Sequence, residues 1–167
     1  MHRPLVYASN QSSPARQAST SVTFDQIDQD ISRLVDVPNH TLDMLRFWVQ
    51  RDARAICFSK LYDEDCAVMA LAKDGLLIDA IPVQHRTDRV QMAAVQCNGL
   101  ALRSCPDASV HVQMAAVAQN GLALQYIREQ TATICTTALM QTPEAMQYVD
   151  LTCPEGVDAV WPWAFDD

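Results

Sequence analysis

Six cysteines, four histidines and one run of three acids are the side chains of this 167-residue chain that could attack, coordinate or move protons. A cysteine enzyme needs a base beside its thiol, most often histidine, and a third group to orient that base. His40, His85 and His111 each fall just before, in or near the first turn of a helix implied by their neighbours. Nothing in their spacing gathers one of them with a cysteine. Metal ligation has less support, because no C-x-x-C or H-x-x-x-H pair occurs. No metal and no cofactor is expected. Asp63-Glu64-Asp65 has the charge to hold a cation, yet Asp63 reads as a helix N-cap and Glu64 as a first-turn acid favoured by the helix dipole. A solvated helix start is the expectation there.

The elements that would position these groups follow from an internal repeat. Val90 to Leu102 (VQMAAVQCNGLAL) and Val112 to Leu124 (VQMAAVAQNGLAL) agree at 11 of 13 positions, the mark of stacked supersecondary units. Extending the frame aligns Thr41, Asp63, Thr87, Ser109 and Thr131, each able to accept from a first-turn N–H. Eleven residues on stand Asp52, Asp74, Asn98, Asn120 and Thr142, followed by Ala53, Gly75, Gly99, Gly121 and Pro143. Asn-Gly and Asp-Gly predict a left-handed residue that ends the helix and reverses the chain. Thr142-Pro143 predicts a cap followed by the proline that opens the next helix.

Between these signals apolar residues fall at helical spacing. One phase holds Met44, Cys66, Val90, Val112 and Ile134; the next two hold Trp48, Ala70, Ala94, Ala116 and Ala138, then Val49, Leu71, Val95, Val117 and Leu139. A second helix places Ile56, Ile78, Leu102, Leu124 and Met146 at one phase, and Ile81, Cys105, Ile127 and Val149 three residues later. The expected fold is all-α, a short α-helical solenoid of about five helix-turn-helix repeats of 22–24 residues with terminal capping helices. Phe24 to Val35, opened by Thr23 with Gln26 three residues on, predicts the N-terminal cap. Pro154-Glu155 opens a C-terminal one, with Val160 and Trp161 at core phases and Pro162 as its stop.

Residues 1–22 are of different material, so a single repeat domain is expected over 23–167 with a flexible tail before it. The tail has no acid before Asp25, carries Pro4 and Pro14, and lacks the apolar core of a secretory signal peptide. Its composition overlaps with transit peptides, with bacterial specialised-secretion signals and with a plain disordered terminus. A net charge of −8 and a pI of 4.8 leave no basic patch for nucleic acid. The apolar runs are too short for a membrane span.

The repeat frame also sorts the cysteines. Cys66 and Cys105 occupy core phases and read as small hydrophobes. Cys57 and Cys97 occupy phases otherwise held by Asp79, Arg103, Gln125 and Gln147, and by Arg51, Lys73, Gln119 and Gln141, so both are expected to be exposed. Six thiols without a signal peptide fit a reduced, cytoplasmic setting.

Written as VxMAAVxQNGLALxYI, the unit resembles the DUF4116 family of short helical repeats, most closely across Val90 to Tyr126 and less so over Cys66 to Ala80 and Thr131 to Tyr148. That family is of unknown function, so the resemblance implies no catalytic residues; similar repeats occur in proteins of host-associated bacteria and of protists. The leading expectation is a non-enzymatic module that binds another protein, a bacterial effector delivered into a host cytoplasm and acting on a host protein. Solenoids bind through variable surface positions. Arg103, Gln125, Tyr126, Gln147 and Tyr148 form such a row, with aromatics beside polar groups. Packing between units is the favoured explanation of the two tyrosines. Trp163 and Phe165 could dock a partner or fold back as part of the cap. Two other readings stand beside this one: a cysteine-dependent transferase or hydrolase using Cys57 or Cys97, and a regulatory or inhibitory subunit acting inside its own cell.

Overall fold

The computed structural model describes residues 24–37 and 41–150. The tail, the C-terminal cap and with it Trp163 and Phe165 lie outside the described residues. The order is α1 (Phe24–Gln29), η1 (Ile31–Asp36), α2 (Leu42–Arg51), α3 (Ala55–Phe58), α4 (Glu64–Leu71), η2 (Gly75–Ala80), η3 (Val83–His85), α5 (Asp88–Cys97), η4 (Gly99–Ser104), α6 (Val110–Gln119), η5 (Gly121–Tyr126), α7 (Ala132–Gln141) and η6 (Pro143–Tyr148), where η denotes a 3-10 helix. No strand occurs among the described residues.

One polar residue makes the corner of each unit. The Asn98 N–H closes α5 on the Ala94 carbonyl at 2.9 Å, and the Asn98 Oδ1 accepts from the Leu100 N–H at 3.0 Å, opening η4. Asp74 and Asn120 do the same with Leu76 and Leu122, and Asp52 with Arg54. The corner residue is extended, at φ −147° and ψ 108° for Asn98. The expected left-handed glycine is therefore corrected. Gly75, Gly99 and Gly121 follow the corner as the first residues of 3-10 helices, and none has a positive φ. What requires glycine is the next unit: a Cβ on Gly99 would lie 2.5 Å from the Ala116 carbonyl oxygen, and Gly75 and Gly121 face Ala94 and Ala138 in the same way.

Two further expectations change. The second helix is a 3-10 turn rather than a two-turn α-helix, except at α3, and the corner side-chain bond does not decide which: Asp52 makes it ahead of α3, and Thr142 lacks it ahead of η6. The N-terminal cap is not one helix: Asp30 divides it into α1 and η1, accepting from the Ser32 N–H at 3.0 Å. Asp30 precedes Asp52 by the same 22 residues that separate Asp52 from Asp74, so the cap is itself a unit. Thr41, Asp63, Thr87 and Thr131 accept from the N–H three residues on, as expected of N-caps. Ser109 makes no such bond.

The long helices α2, α4, α5, α6 and α7 stack side by side in one layer, and η1, α3, η2, η4, η5 and η6 form the other; each unit packs on the units before and after it. The core lies between the layers. Cys66, Val90, Val112, Ile134 and the alanines and valines of the next two phases are buried, while in α2 Leu45 takes the place expected for half-buried Met44. Ile78, Leu102 and Leu124 are at most 2% exposed, but Met146 is 40% exposed, since no described unit stacks on η6.

Candidate functional site

The expected surface row is real as a geometric feature. Arg103, Gln125 and Gln147 hold one register position on η4, η5 and η6, which stack in succession. Their polar ends are largely occupied. Arg103 pairs with Asp79 of η2 at 3.1 Å, and Asp79 also binds the Ser104 hydroxyl. That hydroxyl, then the Arg103 guanidinium, hold the Asp79 carboxyl below its ordinary value of 3.8. Gln125 donates to the Leu122 carbonyl and Gln147 to the Glu144 carbonyl, each within its own turn. Tyr126 and Tyr148 are half-buried against the core, so they serve packing as well as surface.

Two core thiols are raised by their surroundings. Burial, helped by Asp63, pushes Cys66 up to about 11, and burial pushes Cys105 up to about 11. Cys57 is exposed, as expected, and it lines a cavity of about 180 Å³ together with Lys60, Tyr62 and His85, a meeting that spacing did not reveal. Its thiol too is raised, first by burial and then by the Asp52 charge, the reverse of what an activated nucleophile needs. His85 stacks on Tyr62, with ring centroids 4.0 Å apart and planes 15° apart.

Cys97 is half-buried rather than exposed, and its position has a structural meaning. At the end of α6, Gln119 accepts from the Gly99 N–H at 2.6 Å and donates to the Cys97 carbonyl at 3.5 Å. Gln141 repeats this on Gly121 and Gln119. Lys73 reaches the carbonyls of Val49 and Gln50, and Arg51 pairs with Asp28 at 2.8 Å. The residue just before the corner thus reaches back, as a clamp, to the preceding unit at Arg51, Lys73, Gln119 and Gln141, and Cys97 occupies that position in α5. The acidic run behaves as a helix start. Asp63 caps α4, while Arg46 and Arg89 from the flanking helices meet Asp63 and Asp65 at 3.4 and 2.8 Å. No cluster of ligands suited to a metal occurs among the described residues.

Sequence reasoning overlooked the edge formed by the links between each second helix and the next long helix. Val83 and Val110, 71% and 60% exposed, stand on it. So do the Cys57 cavity, between links 59–62 and 81–86, and one of about 360 Å³ between links 105–108 and 126–131. Tyr126 lines the second, so the row and the link edge join there. The signal lay in the residue before each N-cap, Tyr62, Arg86, Ala108 and Gln130, whose variation was visible but unexplained.

No family model matches this chain, no curated protein matches it, and no solved structure matches it. No described helix is long and apolar enough to cross a membrane.

Proposed function

We propose that this chain is a protein-binding helical-repeat module whose contact surface runs from the Arg103, Gln125 and Gln147 row over Tyr126 onto the link edge. The observation that carries the reading is the division of labour within the unit. Core positions stay apolar and corner positions polar from unit to unit, whereas the link edge varies and keeps large apolar side chains, Val83 and Val110, in solvent. Exposed apolar groups rimmed by polar ones mark contact surfaces. In its fuller form the proposal is a bacterial effector that binds a host protein; the acid-free start and the DUF4116-like unit support it. The test is capture from eukaryotic lysate by the full chain, repeated with Arg103→Glu and with Val83→Asp plus Val110→Asp. A stoichiometric partner lost in the variants, with circular dichroism unchanged, is the expected result. Absence of any stoichiometric partner for the unaltered chain sinks the reading.

The meeting of Cys57 and His85 in one cavity favours, as second reading, a thiol-dependent transferase or hydrolase. The raised Cys57 thiol weighs against it.

A further inference from the structure

At two places the residue before a long-helix N-cap bridges successive links. Arg86 fills its gap: Nε donates to the Ile81 carbonyl at 2.8 Å and Nη1 to the Ser104 carbonyl at 2.5 Å, one from its own unit and one from the next. Gln130 makes the equivalent pair 44 residues later, its Nε2 on the carbonyls of Ile127 and Tyr148 at 3.5 and 2.9 Å. Ile81 and Ile127 share one register position, and Ser104 and Tyr148 share another. Two unrelated side chains thus converge on the same solution, a planar N–H donor spanning two backbone carbonyls.

Ala108 stands at that position between them and carries no such group. The register-equivalent acceptors are the carbonyl of Cys105, which already takes one hydrogen bond from the Ala108 N–H at 3.2 Å and has its second lone pair left, and that of Tyr126; both residues line the cavity of about 360 Å³ that opens beside Ala108. Asp107 and Glu129 add two carboxylates to the lining against the single guanidinium of Arg128. Val110 supplies an apolar wall for the stem of a long side chain.

We infer that this cavity is a binding site for a guanidinium group, an arginine side chain presented by a partner, which takes the place that Arg86 fills intramolecularly one unit earlier. The proposal rests on the interaction-module reading and names the chemistry recognised at its centre. A forked, always-charged donor suits two carbonyls flanked by carboxylates better than the point charge of lysine.

The probe is N-acetyl-arginine methylamide, titrated into the full ¹⁵N-labelled chain and followed at the backbone amides of Tyr126, Arg128 and Glu129. Saturable shifts confined to these links are expected, with a dissociation constant on the order of millimolar for so small a ligand. Ala108→Gln, which supplies the missing donor internally, should weaken the probe at least tenfold with circular dichroism preserved. Should that variant lose helicity, Glu129→Gln, an exposed change, is expected to weaken it severalfold. The lysine analogue should bind several times more weakly. No saturable shift at these amides, or equal binding by the lysine analogue, overturns the assignment. A lysate partner captured equally by the unaltered chain and by Ala108→Gln leaves the interaction-module reading standing and removes this one.

Discussion

At the scale of single residues, glycine and cysteine carry the sharpest consequences. Gly99 is small because the Ala116 carbonyl approaches it, so Gly99→Ala gains up to about 1 kcal/mol from a stiffer unfolded chain and loses about 1–3 kcal/mol to overpacking against backbone. The loss wins, because a carbonyl within a packed helix cannot swing aside as a side chain can. Urea unfolding of Gly99→Ala should show a lower midpoint with an unchanged slope; a higher midpoint contradicts the contact. Cys57 offers a second residue-level expectation. Its thiol lies above the ordinary 9.0, so the thiolate fraction at neutral pH is smaller than that of a free cysteine and grows only as the solution is made alkaline. Iodoacetamide should label it more slowly than it labels an unfolded chain at pH 7. Faster labelling than the unfolded chain would revive the enzymatic reading.

At the scale of elements, the clamp explains why two units with nearly identical sequences differ where they do. Val90 to Leu102 and Val112 to Leu124 part company at Gln96-Cys97 and Ala118-Gln119, and Gln119 is the residue that binds the Gly99 N–H. Cys97 precludes the same bond to Gly75 for want of an amide. Cys97→Gln should complete the ladder and raise stability by about 1 kcal/mol, the net worth of a satisfied hydrogen bond. Gln119→Ala should lower it by about 1–3 kcal/mol, because it strips the acceptor from a half-buried backbone donor. Equilibrium urea unfolding of both variants tests the pair together. An unchanged Cys97→Gln with a strongly weakened Gln119→Ala would mean that the third and fourth units meet at a different spacing. The two-residue-longer interval between Asp74 and Asn98, which holds η3, is the place to look for it.

At the scale of the molecule, the described units draw their stability chiefly from their neighbours. Among the described residues, the main contacts of each unit are with the one before and the one after, so inner described units have two such interfaces. Amide hydrogen exchange should therefore be slowest in α5 and α6 and fastest in α1 and η1, with protection falling outward. Uniform protection across the described units would instead require one cooperative block. The buried side chains fall into two clusters, one from Ile27 to Ala70 and one from Ala67 to Val149, which meet within α4. Fraying from the N-terminal side is expected to stop there.

What was legible in the sequence is what a single unit decides for itself. The register of the repeat, the N-caps, the corner Asp and Asn residues and the buried phases all depend on contacts within about four residues or on a periodicity that one helix displays. Asp30 was legible in principle as a sixth corner, but the flanking apolar spacing continued through it and concealed the break. What only the tertiary structure decided lies between units. The reason for glycine after the corner, the clamp of Gln119 and Gln141, the meeting of Cys57 with His85 and the gap beside Ala108 all involve partners in another unit, 17 or more residues away. Their distances are set by how closely and at what angle two helical units stack. A repeat period states that units stack, and the packing of their side chains settles how far apart they stand.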